Sequence, residues 1–193
     1  MKELVFLLEE RSARAMLESL LPRLLGTDFV CRLIPFEGKQ DLEKQLAHKI
    51  RAYQNPNARF IVLRDLDSHP DCAQLKARLL HLCSQSGKEK QCMVRLACKE
   101  LEAFYLADLD AVEQALGIRG VAHQQQSKKF RTPDQLGSPK RELKTLTANT
   151  YEEGGGSRAI GQYLRLDNDR SPSFRNLITG IRRMAALPLK KSA

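Results

Sequence analysis

Four short apolar runs, each followed by a stretch whose apolar residues recur at helical spacing, leave this chain few ways to fold. Leu4 to Leu8 is unbroken, as in a strand buried on both faces of a sheet. Ser12 to Leu25 then carries Ala13, Met16, Leu17, Leu20, Leu21 and Leu24 at helical spacing. Phe29 to Phe36 reads as a second strand, and Asp41 to Tyr53 as a second helix with Leu42, Leu46, Ile50 and Tyr53 on its apolar face. After the turn Asn55-Pro56-Asn57, Phe60 to Leu63 is a third strand and Asp71 to Ser86 a third helix, stopped by Gly87. Cys92 to Ala97 and Leu101 to Leu116 complete a fourth pair. The alternation predicts an α/β fold with a largely parallel central sheet of about four strands and helices on both faces.

The last third is built differently. His123 to Pro139 is polar and reads as a long mobile loop. Helices are expected from Pro139, with Ser138 as N-cap, over Ser157 to Leu164, and over Ser173 to Leu187. Gly154-Gly155-Gly156 reads as a flexible break. The expected organisation is an α/β core over 1–118, a polar loop over 119–138, and a basic helical C-terminal extension over 139–193 packed on the core. Residues 1–118 hold 17 Lys and Arg against 17 Asp and Glu, while residues 119–193 hold 15 against 6, so the entire net charge of +9 sits in the last 75 residues. Such asymmetry points to a polyanionic partner, nucleic acid, near the C-terminal part.

Several classes are disfavoured. No apolar run approaches the length of a membrane span. The opening Met1-Lys2-Glu3 segment runs into Glu9-Glu10 without a small-residue cleavage site, so it reads as a buried strand in place of a signal peptide. Five cysteines, an odd number with no Cys-x-x-Cys pair, argue against a disulfide framework or a zinc knuckle and for free thiols in a reducing cytoplasm. Gly38-Lys39 at a helix start lacks the spacing of an ATP-binding loop, although Lys39 there is a candidate phosphate contact.

Ligands of an open parallel sheet gather outside the carboxyl ends of its strands. The residues there are acidic: Glu9-Glu10 after the first strand, Asp65 and Asp67 after the third, Glu100 and Glu102 after the fourth. Crowded carboxylates raise one another's pKa unless a cation intervenes. An all-oxygen donor set favours Mg²⁺ or Mn²⁺ over Zn²⁺. In an extended segment Asp65 and Asp67 would point the same way. Lys140, Arg141 and Lys144, in the basic third, are candidates for holding a phosphate backbone.

Val5-Phe6-Leu7-Leu8-Glu9 followed by Ile61-Val62-Leu63-Arg64-Asp65-Leu66-Asp67 resembles the Toprim pattern, a Glu ending the first strand and an Asp-x-Asp ending a later one. Toprim domains occur in topoisomerases, bacterial primases and the nucleases of the overcoming-lysogenisation-defect (OLD) group. Glu100-Leu101-Glu102-Ala103-Phe104-Tyr105-Leu106-Ala107-Asp108, Ser138-Pro139-Lys140-Arg141, and a closing segment from Ala159-Ile160-Gly161 through Pro172-Ser173-Phe174 resemble more closely a bacterial family of stand-alone Toprim-like proteins, domain of unknown function 4276. The resemblance implies a Toprim-like fold in which Glu9 is the Toprim glutamate, Asp65 and Asp67 the metal-binding pair, and Glu102, with Glu100 as its competitor, a further acidic group. It implies a magnesium-dependent nuclease, with an ATPase partner in bacterial defence. A Toprim scaffold without turnover, serving a complex as a binding module, is the alternative. Toprim domains usually carry Gly after the first Glu; Glu10 stands there in this chain and adds bulk and negative charge.

Overall fold

A computed structural model describes residues 2–188. Strands β1 (Lys2–Leu8), β2 (Phe29–Pro35), β3 (Arg59–Asp65) and β4 (Cys92–Ala97) form one sheet in the order β2-β1-β3-β4. Every pairing is parallel. The crossovers are α1 (Arg11–Leu25), α2 (Lys39–Arg51) and α3 (Cys72–Ser84), and five helices follow β4: α4 (Glu102–Leu106), α5 (Leu109–Leu116), α6 (Pro139–Leu146), α7 (Glu153–Tyr163) and α8 (Pro172–Ala186).

Alternation along the strands divides the interior in two. Leu4, Phe6 and Leu8 of β1, with Ile61 and Leu63 of β3, face a large core shared with α1, α4, α5, α7 and α8. Val5 and Leu7, with Phe60 and Val62, face a smaller core closed by α2 and α3. β1 and β3 are the central strands, which is why their apolar runs are unbroken; β2 lies at an edge and is only half-buried. Each fully buried Phe or Leu contributes about 1.5–3 kcal/mol. Helices therefore cover both faces of the sheet, and the C-terminal helices α7 and α8 bury Ile160, Phe174, Leu177 and Ile178 in the same core as β1.

Three local expectations are corrected. Leu101 to Leu116 is not one helix: the chain breaks at Ala107 and Asp108. The freed backbone groups find distant partners. Asn168 Nδ2 donates to Ala107 O at 2.7 Å, Gln125 Nε2 to Leu106 O at 3.0 Å, and Leu109 N–H to Gln125 Oε1 at 2.8 Å. Gly154 to Gly156 is not a break but the first turn of α7. A Cβ on Gly156 would come within 2.6 Å of the Tyr151 ring, and one on Gly161 within 2.5 Å of Met16 O, so α7 crosses α1 at a distance only glycine permits. The polar stretch after α5 contains two short 3₁₀ turns, Ala122–Gln126 and Pro133–Gln135, and the first is pinned by buried Gln125.

Three basic residues of the first 118 have structural tasks. Buried Arg59 donates to the carbonyls of Met184 and Leu187, each at 2.6 Å, and of Pro188 at 2.8 Å. Arg23 reaches Gly161 O and Leu164 O at 3.1 and 3.0 Å. Lys88 Nζ reaches Ile50 O at 3.1 Å and Tyr53 O at 2.7 Å. Each of the three satisfies the orphan carbonyls at a helix C-terminus, where positive charge also complements the dipole.

Candidate metal centre at the carboxyl end of the sheet

Parallel strands bring their carboxyl ends to one side of the molecule, and the acidic residues arrive there with them. Glu9 follows β1 directly, and its Oε2 accepts the Asp65 amide N–H at 3.0 Å. Chain segments 56 residues apart are thus tied together at the site. Arg64 Nε stands 3.8 Å from the same Glu9 oxygen. Its guanidinium also pairs with Glu43 of α2, which pairs in turn with Arg78 of α3. Burial raises the Glu9 pKa, and the charges of Asp67 and Glu10 add to the rise; the Asp65 amide and Arg64 oppose it.

Asp65, the last residue of β3, is only 9% exposed. Burial pushes its pKa well above the ordinary value, and the neighbouring charges of Glu10, Glu9 and Glu102 push it further. Asp67 does not share that environment. The strand ends at Asp65 and the chain turns, with Asp67 at φ +52° and its N–H donating to Lys99 O at 2.7 Å. The extended geometry expected of the Asp-x-Asp pair is absent. Asp67 Oδ2 instead accepts from Lys39 Nζ at 2.9 Å. Glu9 is the group that feels both regions, being close enough to Asp67 and to Asp65 to respond to each.

Glu102 opens α4 and is fully buried. Tyr151 donates to its Oε1 at 2.9 Å and stands 3.0 Å from Ser157 Oγ; Glu102 Oε2 has no partner. Burial lifts the Glu102 carboxyl to about 7, with Lys140 pulling the other way. Lys140 is held above its ordinary value by Glu102, Glu10 and Glu153 despite the opposing effect of burial, and its Nζ lies 3.4 Å from Glu153. Lys144, one turn on, reaches the same Glu153 at 3.5 Å, while Arg141 is exposed. Glu100 has a different task. Its Oε2 accepts the Lys140 N–H at 2.7 Å, capping α6 where Ser138 makes no side-chain cap. It is Glu102 whose charge bears on Asp65.

Three participants escaped sequence reasoning. Glu10, named among the acidic residues at the strand ends but given no role, takes a hydrogen bond from Ser12 and is the largest charge acting on Asp65. The adjacent Glu9-Glu10 pair was the available signal. Tyr151 and Ser157, far along the chain, carried none.

Among the described residues no three acidic, His or Cys side chains form a ready-made metal cage. The acidic groups at this end are all carboxylates, Glu9, Asp65 and Glu102 are raised chiefly by burial, and one buried oxygen, Glu102 Oε2, is unpartnered.

A parallel four-stranded sheet with helices on both faces and acidic residues at the carboxyl ends of β1 and β3 defines an open α/β protein, the architecture expected from the Toprim resemblance. The C-terminal region of the Burkholderia pseudomallei OLD protein has this fold too: it superposes with a TM-score of 0.52 at 20% identity, over 95% of this chain and 98% of that one. Residues 8–182 match the family described as a domain of unknown function, DUF4276, and the chain belongs to that family. A comparison with curated proteins finds no match. No helix among the described residues is long and apolar enough to cross a membrane.

Proposed function

We propose that the chain is a metal-dependent phosphodiesterase acting on nucleic acid. The observation that carries this reading is the cluster of buried carboxylates at the carboxyl end of the sheet, whose pKa values stay raised despite their partners, with Glu102 Oε2 left without one. A purely structural site would have paired them more fully, because under-paired buried acids cost stability. Glu9, Asp65 and Asp67 supply oxygen ligands for Mg²⁺ or Mn²⁺, with Glu102 beside them. A divalent ion bound there supplies charge neutralisation at phosphate and an activated water. Glu9, anchored through Oε2, keeps Oε1 for ligation or for taking a proton from water. Lys140, between the acidic group and Glu153, and Arg141 and Lys144 beside it on α6 hold the phosphate backbone. Binding of that kind is salt-dependent and reads little sequence.

Magnesium-dependent cleavage of plasmid and single-stranded DNA tests the reading. Wild type should cleave, EDTA should stop it, and Asp65→Asn with Asp67→Asn should abolish it. Cleavage that survives the double substitution would overturn the assignment. A second reading has one observation in its favour. Glu10 places a further negative charge against Asp65, which suits a binding module that holds a partner, such as an ATPase, without turning over a phosphodiester. Wild type inert on both substrates in Mg²⁺ and in Mn²⁺ would favour it.

A further inference from the structure

Lys39 and Asp67 are set against each other by backbone geometry on both sides. Phe36 N–H donates to Leu8 O at 2.8 Å and Gly38 N–H to Glu9 O at 3.0 Å, folding the start of α2 back over the end of β1. Gly38 makes that turn at φ +92°, where a side chain would be strained. Asp67 is held from the other direction by its bond to Lys99 O, in a left-handed conformation that Asp tolerates. The two charged groups meet at 2.9 Å with side chains 49% and 32% exposed. The contact is therefore well placed yet open to exchange.

The rest of the acidic group is served differently. Asp65 and Glu102 are buried, and the nearest ammonium there, Lys140, is shared with Glu153. Asp67 alone among the candidate ligands carries its own half-exposed lysine.

Resting on the metal-dependent reading and going beyond it, we propose that Lys39 is a displaceable counter-ion: it holds Asp67 while the site lacks a divalent ion, yields Asp67 when the ion is loaded, and then contacts the substrate phosphate. No covalent bond changes; ion partners are exchanged. Loading and substrate capture are then coupled, and linkage makes the coupling reciprocal.

A double-mutant cycle on the full chain tests the exchange, with Mn²⁺ affinity read by calorimetry or electron paramagnetic resonance. Lys39→Met should raise affinity roughly two- to fivefold, the size of an exposed ion pair. Asp67→Asn should lower it, and the double variant should match Asp67→Asn, since Lys39 then has nothing to release. An equal gain from Lys39→Met in the Asp67→Asn background would mean a distant charge effect and would overturn the exchange. So would an unchanged or lower affinity for Lys39→Met alone. The second readout is anisotropy of labelled single-stranded DNA with Ca²⁺ or with EDTA. Lys39→Met should weaken binding and reduce the salt slope by roughly 0.7, one phosphate contact, in Ca²⁺ only. A loss in both conditions, or in neither, counts against the proposal. Asp65→Asn separates the two readings. If it leaves Mn²⁺ binding intact, or if wild type binds no Mn²⁺, the metal centre itself fails and the exchange falls with it. If Asp65→Asn abolishes binding while the cycle is additive, only the exchange fails. Melting in EDTA confirms that each variant is folded.

Discussion

Glu3 and Glu9 stand at opposite ends of one strand, and their surroundings could hardly differ more. Glu3 accepts from Asn55 at 2.7 Å, Tyr53 at 2.9 Å and Arg32 at 3.4 Å. Burial would raise its pKa, but these three donors outweigh burial and bring it below the ordinary value. Glu9 has one amide donor and a more distant arginine, and burial together with the charges of Asp67 and Glu10 outweighs them; its pKa rises. The same contrast holds for the two ends of the sheet. At the amino end Arg59 and Lys88 satisfy helix carbonyls and charge is matched to need. At the carboxyl end Asp65 is buried among like charges, and Glu102 is buried so deeply that Lys140 and Tyr151 do not offset the loss of water. A carboxylate given every partner it can use is holding the fold, whereas one buried without them is a candidate for function.

The contrast can be broken at either end, and the largest effect is expected in activity. Asp65→Asn should lower magnesium-dependent cleavage by roughly 100-fold or more, since several kcal/mol of charge stabilisation leave with the ligand. The check is initial rates on plasmid DNA, and an active variant would show that the carboxyl end is not the centre. Next comes the response to the ion itself. Mg²⁺ at a hundredfold excess over its dissociation constant should stabilise wild type by about 3 kcal/mol, seen as a rise in melting temperature. Asp65→Asn should lose that rise.

The two ends should also respond to pH with opposite signs. Glu102 has its pKa raised from 4.5 to about 7. Below the lower value both folded and unfolded chains are protonated and the site costs nothing. As pH climbs through the higher value the unfolded chain has released its proton first, so stability is lost. Glu102→Gln should reduce this slope, leaving the part due to Glu9 and Asp65, and, in EDTA at pH 8, stabilise the protein by roughly 2–3 kcal/mol. Denaturant midpoints between pH 4.5 and 8 decide it; parallel curves for the two proteins would sink the assignment. Glu3 is the mirror case and the smallest effect. Its lowered pKa contributes stability above the unfolded carboxyl value, lost as pH falls through the folded one. Glu3→Gln should cost about 1–2 kcal/mol at pH 7, and the difference from wild type should shrink in acid, with cleavage unchanged.

Much of this arrangement was readable along the chain, because local chemistry controls it. The unbroken runs at Leu4 to Leu8 and Phe60 to Leu63 marked central strands, since only a strand buried on both faces dispenses with alternation. The acidic residues at the strand ends, Glu9 and Asp65, could be named before any coordinates, as the parallel rule sends all such ends to one side. The two turns that pair Asp67 with Lys39 could not be named, being made by backbone bonds to Lys99 and Glu9. The break at Asp108 was equally hidden, because Asn168 and Gln125 satisfy it from 61 and 16 or more residues away. Gly154 to Gly156 read as a hinge on propensity alone, yet the close approach of Tyr151 needs Gly156 within a helix.

Hydrophobic period and turn chemistry settled the order of elements, the parallel sheet and the identity of its acidic rim, all of which depend on neighbours a few residues apart. Folding in three dimensions settled which of those acids are buried together, which one receives a lysine, and that Tyr151 and Ser157 attend Glu102. The reason is physical: desolvation and charge repulsion act through space, and their strength is defined only once distant segments have come to rest against each other.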